Sequence, residues 1–286
     1  MKKLKYLLEF FFIILLFVIF KLVGINFSRY ISSKILSLIG PFFRSKQIIE
    51  NNIKIAFPNS DQKFRKIVIK KMWENYGKIL SEYIFFKNFR ENNSKEFLEI
   101  HGQETLEKIK TSKEPVIFIS GHFDNFELMA MHIEKSGVNL AAIYRPLNNI
   151  FLNPIMEKIR KKYICRQQIK KGISGTKEIL KCFKLGTSVA IMIDQRVSQG
   201  IKSPFFKKNA LTTTIPAQFV KKFNCKIVPV YIERKDNQNF KLEIMKPITF
   251  DESQSLEKIT FQLNLVLEKM IIKNPHQWIW THDRWK

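Results

Sequence analysis

Four apolar residues at 116–119 (Val-Ile-Phe-Ile) lead through Ser120 and Gly121 into His122, and a helical pattern begins directly afterwards. That succession restricts the fold more than anything else in the chain. A short run of β-branched and aromatic residues reads as a buried strand, and the glycine marks its end. Phe126, Met129, Ala130 and Ile133 then recur at the spacing of one helix face. A strand passing straight into a helix is the building unit of α/β sheets, which hold their ligands at the carboxyl ends of their strands. His122 occupies such an end, and Glu127 follows after four intervening residues, near the start of the helix.

The alternation continues downstream. Strands are expected at 138–144, 188–193 and 227–232, with an antiparallel one at 240–245 and a short terminal one at 278–280. Helices are expected at 126–135, 154–162, 176–184, 216–223 and 256–273, and 50–97 reads as helical throughout. The expected fold class is α/β, a mixed and mostly parallel sheet flanked by helices, preceded by an N-terminal membrane helix. Residues 1–27 are taken as the membrane anchor and 28–286 as one catalytic domain.

An imidazole beside a carboxylate can take a proton from an alcohol, because its ordinary pKa is near ~6.5. The carboxylate fixes the ring tautomer and stabilises the imidazolium. Glu127 is the expected partner of His122, with Asp124 as a competitor. Asp124 and Asn125 are by default helix N-caps. Two further strands end in charge, at Tyr144-Arg145 and at Ile193-Asp194, and Arg160 lies on the helix that follows the first of them. Neighbouring strands delivering His122, Arg145 and Asp194 to one edge would build a convergent polar site. A plain Arg145–Asp194 ion pair is the structural alternative.

The formal net charge of +24 points to nucleic acid, an anionic membrane or an acidic partner. No nucleic-acid module is present, and the basic residues are not gathered into a stripe. Residues 6–25 are almost wholly apolar, with only Glu9 and Lys21 charged. About twenty such residues suffice to cross a hydrocarbon core. The run is long for a signal peptide and lacks a small-x-small cleavage site, so a retained anchor is expected. Basic residues flank it on both sides, so it either crosses or enters one leaflet. The segment 31–43 is a second candidate for the membrane interface. Three scattered cysteines form neither a metal spacing nor a disulfide framework.

The stretches GHFDNFE (121–127), YRPLNN (144–149), 170–195, 203–219 and 275–286, in this order and spacing, resemble the bacterial lipid A late acyltransferases, the lauroyl and myristoyl transferases of lipopolysaccharide assembly. The resemblance covers nearly the whole chain. It implies a glycerol-3-phosphate/lysophospholipid acyltransferase-like fold, with no metal and no cofactor. It implies His122 and Glu127 as the catalytic pair, and Arg145, Arg160, Asp194 and Gln195 as substrate-binding residues. The donor would be an acyl carrier protein thioester. The acceptor would be an anionic lipid A precursor of the Kdo-lipid IVA type, at the bacterial inner membrane with the catalytic domain facing the cytoplasm. Asp124, Phe126, Ile150 and Lys207 depart from the family pattern. The rivals are a related acyltransferase acting on a glycerolipid or other glycolipid, a thioester hydrolase, and a non-catalytic basic scaffold at the membrane.

Overall fold

A computed structural model describes residues 2–92, 96–236 and 238–286. The first third is helical: α1 (Lys2–Val23), α2 (Ile25–Ile39), α3 (Lys46–Ala56), α4 (Gln62–Glu82) and α5 (Phe86–Glu91). Gly24 separates the first two with φ +78°, a conformation that strains any L side chain. The expected continuous helix over 50–97 is divided by the turn that carries Pro58, and residues 93–95 of it lie outside the described residues. The breaks are capped. The Ser45 hydroxyl accepts from the Ile48 amide and the Asp61 carboxylate from the Phe64 amide, which satisfies donors left open in the first turns of α3 and α4.

The rest of the chain alternates strand and helix: β1 (Leu98–His101), α6 (Gln103–Ser112), β2 (Ile117–Ser120), α7 (Glu127–Lys135), β3 (Leu140–Tyr144), α8 (Leu152–Ile159), β4 (Gln167–Lys170), α9 (Ile173–Lys184) and β5 (Ser188–Met192), of which β1, α6 and β4 were not expected from the sequence. A separate hairpin follows, β6 (Ile201–Phe205) and β7 (Lys208–Thr212), then α10 (Ile215–Phe223), β8 (Ile227–Arg234), β9 (Phe240–Ile244) and α11 (Leu256–Lys273). The main sheet has seven strands in the order β1-β9-β8-β2-β5-β3-β4. From β8 to β4 all neighbours are parallel; β9 runs against β8, and β1 is parallel to β9. The α/β class and the antiparallel strand are therefore as the sequence suggested.

Burial explains which strands the sequence revealed. Every residue of β2 and of β8 is buried, as strands covered on both faces by helices must be. The two edge strands escaped the reading because their sequences, Leu-Glu-Ile-His and Gln-Gln-Ile-Lys, are at least half polar. Polar edges discourage pairing with other chains. The segment 278–280 is not a strand. Trp278 makes one antiparallel bridge to Phe123, and its indole packs edge-on against Trp280.

Candidate active site

The register of β2 against β5 sets the site. Ser120 lies opposite Met192, so two residues further on His122 lies opposite Asp194. The Ile193 amide donates to the Ser120 carbonyl at 2.9 Å and carries the ladder past the strand ends. Gly121 permits this convergence: a Cβ there would come within 3.0 Å of Leu267 and Phe123 and 3.3 Å of the Asp194 Cβ.

Asp194 is buried and accepts three hydrogen bonds. His122 Nδ1 lies 2.8 Å from Oδ1, the His122 amide 2.8 Å from Oδ2, and the Trp278 indole N–H 3.0 Å from Oδ2. Burial alone would raise this carboxyl. The imidazole, the amide and the indole outweigh it and hold Asp194 below the usual carboxylate range. A neutral imidazole that donates from Nδ1 keeps its lone pair on Nε2. That atom has no hydrogen-bond partner among the described residues, and the side chain keeps 20% of its surface open. Phe126, edge-on at 4.8 Å between ring centroids, packs against the ring.

Glu127 does not pair with His122. As the first residue of α7 it accepts from the Tyr83 hydroxyl at 2.6 Å and from Arg160 Nε at 2.8 Å, with Arg160 Nη2 also at 2.8 Å. The expectation of a His122–Glu127 pair rested on closeness in sequence. The partner is supplied across the sheet instead, 72 residues away. Arg160 opens a single π-helical turn, Arg160–Ile164, a local widening that often accompanies function. Its guanidinium sits 6.0 Å from the Tyr83 ring centre and 5.9 Å from that of Tyr144. Arg145 leaves β3 at the same sheet edge as His122 and Asp194 but is exposed. The Arg145–Asp194 ion pair does not form, since Asp194 is occupied by His122 and Trp278. Gln195 follows Asp194 out of the strand, half-buried.

A second charged cluster braces the turn from behind. Glu82, at the end of α4, takes Arg29 Nε at 2.6 Å, Arg234 Nη1 at 2.8 Å and the Asn125 amide group at 2.8 Å. Arg234 Nη2 also reaches Asp124 at 2.8 Å. All five side chains are buried. Two guanidiniums face two carboxylates, so the formal charges cancel. Burial works to raise Glu82, but its two arginines hold it below the carboxylate range. Asp124, sharing only Arg234, is raised by burial and by the neighbouring Glu82 charge. Asp124 and Asn125 therefore cap nothing with their side chains. Asp124 adopts φ +38°, a region that Asp tolerates better than most residues.

The segment after α11 closes the site. The Gln277 carbonyl accepts from the Asp124 amide, His282 Nε2 accepts from the Arg196 amide at 2.9 Å, and the Trp285 indole donates to the Phe205 carbonyl at 3.0 Å. His282, lowered chiefly by burial, ties the tail to the segment that follows Asp194. Around the turn the amides of His122, Phe123, Asp124 and Asn125 are all engaged within the protein.

A family model described as bacterial lipid A biosynthesis acyltransferase matches residues 1–286. The chain belongs to that family. It is 25% identical over 250 residues to the lipid A biosynthesis lauroyltransferase of Escherichia coli K12, covering 85% of this chain and 79% of the relative. To the palmitoleoyltransferase of the same organism it is 21% identical over 265 residues, covering 90% and 84%. A Haemophilus influenzae lipid A biosynthesis acyltransferase is 21% identical over 248 residues, covering 85% and 78%. The chain is thus an O-acyltransferase, and its apolar first helix accords with association with a membrane.

Within this family frame the structure adds residues the sequence reading passed over: Tyr83, Glu82, Arg234 and Trp278. Arg234 carried a usable signal, because it ends a strand just as Arg145 and Asp194 do. Glu82 lies in a helix with Lys and Glu among its apolar residues, and only its burial distinguishes it. Lys207, where the family often has glycine, sits at φ +61° beside Phe206 at +50°, in the two-residue turn of the β6–β7 hairpin. The left-handed conformation is kept without the glycine, and the turn is held by the Phe206 amide donating to Glu268 at 2.7 Å.

Proposed function

We propose that this acyltransferase moves a fatty acyl chain from an acyl carrier protein thioester to a hydroxyl of an anionic lipid A precursor of the Kdo-lipid IVA type, on the cytoplasmic side of the bacterial inner membrane. The observation that carries the reading is the imidazole of His122, anchored through Nδ1 to a buried carboxylate and open at Nε2, at the carboxyl edge of a parallel sheet. His122 Nε2 takes the proton of the acceptor hydroxyl as the oxygen attacks the thioester carbonyl. Asp194 holds the tautomer and stabilises the imidazolium. The tetrahedral intermediate collapses with cleavage of the C–S bond, and the imidazolium returns its proton to the departing thiolate. The thioester is already activated and the acceptor is held beside it, so no acyl-enzyme is required.

The oxyanion needs a donor. With the four amides of the turn engaged, a side chain fits that part better, and Arg145 is exposed at the same edge. Glu127 then serves through Arg160, fixing a guanidinium suited to a phosphorylated head group; Gln195 lies beside the dyad as a further polar contact. The net charge of +24 favours encounter with both an acidic carrier protein and an anionic lipid.

The test incubates membranes bearing the wild type or His122→Ala with a labelled tetra-acylated Kdo-lipid A precursor and a panel of carrier-protein thioesters. A heavier lipid made by the wild type and reduced by at least about 10²-fold in the variant is expected. Equal product from both would remove His122 from the chemistry. Product only when lysophospholipid replaces the precursor would move the acceptor to the glycerolipids.

A further inference from the structure

Helix α1 is apolar on every side in sequence, yet in the fold it has two distinct faces. Tyr6, Phe10, Ile13, Phe17 and Phe20, spaced by three or four residues, are buried or half-buried. On the opposite face Leu8, Leu15 and Leu22 keep 63%, 58% and 81% of their surface exposed.

The covered face touches the protein near both ends of the helix. Asn149 donates to the Tyr6 carbonyl at 2.8 Å and to the Glu9 carboxylate at 3.2 Å, and Phe10 packs on Phe151. Near the other end the Ser28 hydroxyl donates to the Phe20 carbonyl at 2.9 Å, and the Lys21 ammonium lies 5.2 Å from the Phe85 ring centre. Residues 6 and 21 are about 22 Å apart along a helix. A single helix that crosses a bilayer needs roughly 30 Å of its length within the hydrocarbon, clear of any water-soluble domain. One seated on its own domain for about 22 Å has too little length left for that.

We propose that α1 lies in the plane of the membrane surface, its exposed face set into an anionic lipid bilayer and the catalytic domain on its other side. The charges fit this placement. Lys2, Lys3, Lys5 and Lys21 are exposed at the two ends of the helix, where they meet lipid head groups. Glu9 is turned to Asn149 rather than to the apolar face. Apolar groups continue the surface at both ends: Ile150 and Phe151 beside Phe10, and Phe27 and Tyr30 just past Gly24, are exposed. Asn149 belongs to the segment that starts at Arg145 on the sheet edge of His122 and Asp194. On the reading that the acceptor is a lipid, this brings the bilayer surface beside the base.

The experiment places single cysteines in the full chain, bound to vesicles of phosphatidylethanolamine and phosphatidylglycerol. Lys3→Cys reports the start of α1 and Lys258→Cys the domain; both positions are exposed, whereas the native cysteines are buried and set the background. A membrane-impermeant maleimide should label both variants from the same side, in a ratio near one. Leu8→Cys, Leu15→Cys and Leu22→Cys, each carrying a fluorophore, should be quenched equally by lipids spin-labelled at a given depth. Labelling of Lys3→Cys only from the side opposite Lys258→Cys, or a much deeper Leu15→Cys, would overturn the inference, as would failure to bind the vesicles. Acyl transfer, assayed separately, is untouched by either labelling result, so the two readings fail independently.

Discussion

Asp194 and Glu82 are both fully buried carboxylates, and both are held below the usual carboxylate range, yet the structure uses them in opposite ways. Glu82 faces two guanidiniums and an amide, Asp124 stands next to it, and the charges balance within a closed network. Asp194 faces an imidazole whose second nitrogen remains open. A guanidinium cannot give up its proton near neutral pH and an imidazole can. The lesson is that burial of a carboxylate says little about its use; the partner's capacity to exchange a proton decides whether the pair can only brace or is also fit to act as a base.

The comparison breaks most visibly at Arg234. Arg234→Met leaves Asp124 without a cation and Glu82 with only Arg29, which should cost about 3–5 kcal/mol of stability. Chemical unfolding of both proteins in the same detergent measures it. A change within about 0.5 kcal/mol, as for a surface substitution, would mean that the network is not a brace.

A smaller effect sharpens the other side. Trp278→Phe keeps a buried aromatic ring but removes one of the three donors to Asp194, a hydrogen bond to a charged group worth about 1.5–3 kcal/mol. We expect kcat to fall about tenfold, the equivalent of about 1.4 kcal/mol, with the KM for the lipid nearly unchanged. A rise in KM at unchanged kcat would assign Trp278 to lipid binding.

The finest distinction is one of sign. A carboxyl lowered in the folded state contributes stability above its unfolded pKa, near ~3.9 for Asp, and loses it as pH falls through the lower folded value. Asp194 is such a group, so Asp194→Asn should flatten the acid limb of stability against pH. Asp124 is raised in the folded state, so in the acid range the folded protein holds more protons there and gains relative to the unfolded chain. Asp124→Asn should therefore steepen the same limb. Parallel curves for the two variants would erase the difference between the regions.

Much of this was legible in the sequence, for local reasons. The order strand, glycine, histidine, helix fixes His122 at a strand end, and charged residues terminating apolar runs marked Arg145 and Asp194. What escaped depends on relations between distant segments. Register joins His122 to Asp194, and no spacing within GHFDNFE reports it. The β6–β7 hairpin turns on Phe206-Lys207, which lacks the Asn-Gly signal of such turns, because tertiary contacts rather than propensity hold it. Trp278 read as a strand residue by its neighbours, whereas its indole N–H is what connects it to the site.

The position of β5 has a consequence for how the molecule becomes active. It enters the sheet between β2 and β3, two strands that precede it in the chain, and it brings Asp194 with it. Long-range parallel pairing of this kind is slow to form, because the loop must close before any contact rewards it. A chain that has made β2 and β3 but not yet seated β5 carries an untethered imidazole, so the pairing on which the proposed chemistry depends arrives with completion of the sheet rather than with its helices.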